Sequence, residues 1–160
     1  MVKTLIIVRH AHRDKRLGSD ANNGLSPKGK GQAIRIAKYY KKRFGEKKTP
    51  LFSSPKLRCI ETLYPIAKLT KKKIVTLDLL DEQQGSSQEY AKQIHEFLEW
   101  WEKEAPQTTI VCSHGDWIPQ FTKKILETPI DLAKGGWIEI VKEDSAKPQL
   151  VWVLQDFKDR

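Results

Sequence analysis

Two rhythms of apolar residues alternate along this chain: short unbroken runs, and longer stripes at helical spacing. Leu5-Ile6-Ile7-Val8 is apolar without interruption, the pattern of a central strand buried on both faces. Ser26-Pro27 then opens a helix, with serine at the cap and proline in the first turn. Behind it Ala33, Ile36, Ala37, Tyr40 and Phe44 keep helical spacing up to Gly45. A short strand is predicted over 50–53, followed by a second Ser-Pro helix start at Ser54-Pro55. That helix turns Leu57, Ile60, Tyr64 and Ala67 inward, and Pro65 is expected to kink or split it.

Further on, 74–77 reads as a third strand and 81–87 as a polar loop. A helix over about 88–103 carries the stripe Tyr90, Ala91, Ile94, Phe97, Leu98, Trp101. Residues 109–112 form the next buried strand, 117–126 a helix, and 137–141 and 150–154 two β-like runs around a polar turn. Strands alternating with helices predict a three-layer α/β/α sandwich with a largely parallel central sheet. The 160 residues contain no repeat and no linker, so one domain over 1–160 is expected.

Composition narrows the function classes. With 39% hydrophobic and 31% charged residues, extended disorder is excluded. The longest apolar run is far too short to cross a bilayer. The N-terminus lacks the charged-then-apolar layout of a secretion signal, which leads us to expect a cytoplasmic protein with no membrane partner. Neither Cys59 nor Cys112 belongs to a CxxC or CxxH pair, so no metal site is expected. Reduced thiols are the simpler reading, although a disulfide between the two is compatible with the sequence.

The net charge of +9 attracts anions: phosphorylated metabolites, nucleic acid or acidic protein surfaces. Lysine runs such as Lys71-Lys72-Lys73 read as solvated faces. Five tryptophans beside that charge raise the idea of a base-stacking platform. However, Trp100, Trp101 and Trp117 lie at spacings that suit packing, and no nucleic-acid recognition motif is present, so no nucleic-acid partner is expected.

The candidate chemistry sits just past the buried runs. Arg9-His10-Ala11 follows the first, and Ser113-His114-Gly115 follows 109–112. Ligands of open α/β sheets bind outside the carboxyl ends of strands, so Arg9, His10 and His114 can meet in one pocket. Arg58, in the first turn of the helix after the second strand, can reach the same rim. Phosphate calls for planar arginine forks and other donors. A neutral imidazole can attack phosphorus to give a phosphohistidine. The four residues meet those needs by positioning and charge, without a metal. His12 and His95 read as ordinary structural residues, and Asp116 as the N-cap of the helix that follows it in preference to a proton donor.

Four blocks, in order, resemble the histidine phosphatase superfamily, the phosphoglycerate-mutase-like group. They are Leu5-Ile6-Ile7-Val8-Arg9-His10-Ala11, then Leu25-Ser26-Pro27-Lys28-Gly29-Lys30-Gly31-Gln32-Ala33, then Ser53-Ser54-Pro55-Lys56-Leu57-Arg58-Cys59-Ile60-Glu61-Thr62, and Val111-Cys112-Ser113-His114-Gly115. The resemblance implies a phosphoglycerate-mutase-like fold, His10 as nucleophile, and Arg9, Arg58 and His114 as the phosphate pocket. It implies no cofactor. It also implies a carboxylate, on the loop after the third strand, that protonates the leaving oxygen and then activates water. Leu80-Asp81-Glu82-Gln83-Gln84-Gly85 resembles that loop, with Glu82 as the acid–base residue and Asp81 and Glu89 as alternatives.

Ala11 stands where the family has glycine, which is tolerable only if the backbone there stays in a region open to L-residues. The loop before Leu25 looks shorter than in mutases. It holds His12-Arg13-Asp14-Lys15-Arg16, with Arg13 as pocket rim and Arg13, Lys15 and Arg16 steering anionic substrates. In length the chain resembles the small bacterial phosphohistidine phosphatases. The expected reaction is hydrolysis of a phosphomonoester or phosphohistidine through a phosphohistidine on His10. The partner would be a phosphorylated small molecule or a phosphohistidine protein. The alternatives are mutase-type phosphoryl transfer, or a domain that binds phosphate or nucleic acid without turnover.

Overall fold

The computed structural model describes residues 1–19 and 21–157. Its strands are β1 (Val2–Arg9), β2 (Leu51–Ser53), β3 (Ile74–Thr76), β4 (Thr108–Ser113), β5 (Trp137–Glu143) and β6 (Gln149–Leu154). They form one sheet in the order β3-β2-β4-β1-β5-β6. The first four run parallel, while β5 pairs antiparallel with both β1 and β6. The helices are α1 (Pro27–Phe44), α2 (Leu57–Thr70), α3 (Ser87–Lys103) and α4 (Trp117–Leu126), with a 3₁₀ turn at Asp78–Leu80.

Successive side chains of a strand point to opposite faces, and β1 shows why an unbroken apolar run was needed there. Leu5 and Ile7, with Val111, Ile138 and Ile140, meet Phe97 and Trp101 of α3 and Trp117 and Phe121 of α4. Ile6 and Val8, with Leu51, Ile110 and Trp137, meet Ile36 and Tyr40 of α1 and Leu63 and Ile66 of α2. The sandwich therefore has three layers, as the alternation of elements predicted. Each large side chain fully buried in these two cores contributes about 1.5–3 kcal/mol of transfer free energy. Trp101, Trp117 and Trp137 are among them, so their rings offer no face to a base. Among the described residues no helix is long and apolar enough to cross a membrane.

Three local expectations are corrected. Leu57 and Tyr64 do not turn inward but are exposed, and α2 packs on the sheet through Cys59, Leu63 and Ile66. α2 does not begin at Ser54-Pro55: its N-cap is Lys56, and the Ser54 hydroxyl is turned away towards His114. The orphan amide of Leu57 is met instead by Asn22 Oδ1 at 2.9 Å. Pro65 lies inside an unbroken helix and does not split it. A proline costs one rung of the helical ladder, and buried Leu63 and Ile66 on either side keep that turn against the sheet.

The topology also positions a crevice. β1 and β4 are adjacent and parallel, yet α1 after β1 packs on one face and α4 after β4 on the other. The chain therefore diverges at the carboxyl ends of these two strands, which is the switch point where open α/β sheets bind ligands.

Candidate active site

Register brings the two histidines together. Arg9 pairs with Ser113 across β1 and β4, and His10 N donates to Ser113 O at 3.1 Å. The next residues, His10 and His114, have ring centroids 5.5 Å apart, and both are buried. His10 Nδ1 lies 2.8 Å from the Ala11 carbonyl. A carbonyl only accepts, so Nδ1 carries the proton and Nε2 keeps its lone pair. Burial, opposed by the Ala11 hydrogen bond and reinforced by Arg58, Arg9 and Lys134, pushes His10 down to about 4. At neutral pH it is an uncharged imidazole.

His114 is held from both ends. Arg58 Nη2 lies 3.4 Å from Nδ1, and since a guanidinium only donates, Nδ1 accepts. Nε2–H then donates to Ser54 Oγ at 2.7 Å, and Ser54 in turn donates to Asp81 Oδ1 at 3.4 Å. Burial first, then Arg58 and His10, push His114 down to about 2. Asp81 behind this chain is raised by burial, with Lys56 3.7 Å away opposing the shift.

The arginines are set by their neighbours. Arg58 is almost fully buried, and its Nη2 lies 2.7 Å from Glu82 Oε2. Arg9 Nη1 donates to Leu132 O at 2.8 Å, and its fork lies against Gly115. A Cβ at Gly115 would stand 2.7 Å from Arg9 Cζ, so a side chain there would push the Arg9 fork out of this position. Each guanidinium retains an Nε without a protein hydrogen-bond partner.

The motif blocks interlock. Ala11 N donates to Thr62 Oγ1, and His12 N donates to Gln32 Oε1. A Cβ at Gly29 would come within 1.9 Å of the His12 carbonyl. Ala11 itself avoids positive φ, and its methyl packs with Leu25 and Ala33. That is the condition under which alanine can replace glycine there. His12 is structural, with Nδ1 2.6 Å from Ser26 Oγ.

A pocket of about 430 Å³ opens over the strand ends, with Arg9, His10, Arg58 and His114 in its wall. Of Asp81, Glu82 and Glu89, Glu82 lines this pocket, and Asp116 is a second carboxylate in its wall. Asp81 sits behind His114, and Glu89 is exposed on α3, outside the pocket wall. Arg13 and Lys15 line the rim, whereas Arg16 turns out to Asp14 at 2.6 Å.

Asp116 occupies the N-cap position of α4, but its side chain caps nothing, which corrects the expected role. With helical φ and ψ its carboxylate does not fold back over the first turn. It accepts instead from Gln83 N at 3.0 Å, bracing the loop that carries Glu82. The near side of that loop is fastened by Ser113 Oγ to Leu80 O and Trp117 Nε1 to Leu79 O.

Sequence reasoning missed two residues. Ser54 lay inside a quoted block but carried the same Ser-Pro signature as a helix cap. Lys134, in the loop between α4 and β5, lines the pocket without belonging to any motif. Among the described residues no cluster of three His, Cys, Asp or Glu side chains has the arrangement of a metal site. Cys59 and Cys112 are free thiols in the core. The site can seat a tetrahedral oxyanion between two guanidinium forks and present a neutral imidazole to it.

No curated protein matches the chain. Solved structures do. The protein histidine phosphatase SixA complexed with tungstate superposes with a TM-score of 0.77 at 17% identity, covering 95% of this chain and 96% of that one. Phosphoserine phosphatase from Entamoeba histolytica in complex with 3-phosphoglyceric acid gives 0.76 at 19% identity, with the same coverage. Mycobacterial glucosyl-3-phosphoglycerate phosphatase gives 0.70 at 16% identity, covering 98% of this chain and all of that one. At these identities the likeness concerns the fold. The sequence itself matches the family model of the histidine phosphatase superfamily, branch 1, over residues 5–101, and the chain belongs to that superfamily.

Proposed function

We propose that this chain is a metal-independent, cytoplasmic phosphatase that hydrolyses phosphomonoesters or phosphohistidine through a phosphohistidine on His10. The observation that carries the reading is the tautomer of His10. Its Nδ1–H is tied to the Ala11 carbonyl and its charge is suppressed, so Nε2 is a ready nucleophile. It lines one pocket with two arginines and a second histidine. In the first step the Nε2–P bond forms as the bond from phosphorus to the leaving atom breaks, an oxygen in a phosphomonoester and an imidazole nitrogen in phosphohistidine. Arg9 and Arg58 hold the transferring oxygens, and His114, whose Nδ1 accepts from Arg58 while its Nε2–H donates to Ser54, keeps the Arg58 fork in place. Glu82 gives the leaving oxygen or nitrogen its proton and then takes one from water, whose attack on phosphorus breaks the bond to His10 Nε2 and returns His10 to its starting form.

Both substrate classes are represented among the similar folds. SixA is a protein histidine phosphatase, and an Entamoeba histolytica relative was crystallised with phosphoserine. The test is His10→Ala. It should abolish turnover while leaving the circular dichroism spectrum intact, and quenched wild-type enzyme should carry an acid-labile phosphoryl group on His10. Near-normal turnover by the folded variant would overturn the assignment, and loss of wild-type activity on chelation would overturn metal independence.

A further inference from the structure

The pocket holds more positive charge than a phosphoryl group uses. Arg9 and Arg58 supply the two forks, and Glu82 already pairs with Arg58. Arg13, Lys15 and Lys134 remain in the same wall, and among the described residues none of them makes an ion pair. Asp116, the other anion in the wall, is engaged by Gln83 N.

Arg13 and Lys134 are half-buried and stand on fastened backbone, unlike the exposed Lys71, while Lys15 is exposed beside them. The Lys134 loop is bolted to the catalytic strand: Gly135 N donates to both Arg9 O and His10 O, Arg9 N donates to Gly136 O, and Gln32 reaches the Lys134 carbonyl. Arg13 is fastened on the other side by its bridge to Leu25 and by its Nη2 on Ser19 O. Lys134 and Arg13 thus bring like charges to one pocket wall on fastened backbone, with Lys15 completing the wall. Burial, then Lys15, Arg9, Arg13 and Lys28, lower the Lys134 ammonium. Crowding of this kind at a pocket mouth is relieved by a bound anion.

We propose that Lys134 and Lys15, with Arg13, form a second anion subsite that selects substrates whose leaving group carries its own negative charge close to the phosphoryl group. The inference rests on the phosphatase reading and names a substrate class within it. A carboxylate on a small molecule and an acidic side chain beside a phosphorylated residue share that chemistry.

The test compares 3-carboxyphenyl phosphate with its neutral near-isostere 3-carbamoylphenyl phosphate at pH 7.5. Wild type should favour the carboxylate in kcat/KM by roughly tenfold, the size expected of one or two partly solvated charge contacts. In a Lys15→Gln/Lys134→Gln double variant that ratio should fall towards one, and Lys15→Arg/Lys134→Arg should keep it. The same pair, titrated by calorimetry into His10→Ala, reads the preference as a ratio of Kd without turnover. A binding preference with no wild-type turnover would keep the subsite and sink the phosphatase reading. A ratio near one in wild type, in both measurements, would overturn the subsite. A wild-type preference that survives in the glutamine variant would overturn its assignment to these lysines. Phosphohistidine peptides flanked by glutamate or by glutamine, run alongside, tell a protein anion from a small-molecule one: preference in either pair supports the subsite and names its source.

Discussion

Arg58 Nη2 and Glu82 Oε2 stand 2.7 Å apart, so the arginine proposed to grip phosphate and the carboxylate proposed to move protons form one ion pair. The two roles separate by leaving group. Glu82→Gln should slow cleavage of an alkyl phosphate by roughly the hundredfold or more of a lost general acid. Nitrophenolate leaves without a proton, so the burst of nitrophenol from nitrophenyl phosphate should persist even where water attack is slow. Rapid-quench measurement of both substrates checks this. Equal losses in phosphorylation for every leaving group would remove Glu82 as the acid.

Ser54 acts through His114 as a positioning residue. Ser54→Ala leaves a buried imidazole N–H without its acceptor, a cost of about 1–3 kcal/mol, and frees the ring to change tautomer or tilt. We expect kcat to fall about tenfold or more. Nitrogen chemical shifts of His114 should show the proton no longer confined to Nε2. A lower melting temperature with unchanged shifts and unchanged kcat would reduce Ser54 to a packing role.

The suppressed charge on His10 has a measurable sign. Its ordinary value is 6.5 and its folded value about 4, so between those pH values the unfolded chain binds a proton that the native chain refuses. Stability is then fully present above about 6.5 and is lost as pH falls towards 4. The melting temperature of wild type should drop over that window, and His10→Ala should drop less. An NMR titration of His10 with a midpoint near 6.5 would contradict the burial argument.

Steering is the last expectation. With Arg13 and Lys15 in the pocket wall and Arg16 turned to Asp14, the salt dependence of kcat/KM should flatten in an Arg13→Ser/Lys15→Ser variant. Arg16→Ser should change it little. Salt acts by screening over about a Debye length, so a slope that survives the double change would locate the effect elsewhere on the surface.

What neighbouring residues dictate is legible in the chain alone. The run 5–8 has no polar alternation, which a strand tolerates only when covered on both faces, so the layered architecture and the position of Arg9-His10 at a strand end followed from chain-local rules. Alanine at position 11 came with a stated condition on its backbone, and the structure meets it. Ser54 and Asp116 were misread because a capping serine or aspartate looks the same, in sequence, as one claimed by a distant partner. His114 and the amide of Gln83 win those side chains only once β2, β4 and the Glu82 loop are assembled. Lys134 carried no local signal at all; it reaches the pocket because the Gly135 N–H donates a bifurcated hydrogen bond to Arg9 O and His10 O at the end of β1. Periodicity and capping are properties of neighbouring residues, and the sequence states them outright. Which hydrogen-bond partner a side chain takes, and how far burial moves a histidine, depend on distances between residues far apart in the chain. Only the folded sheet decides those.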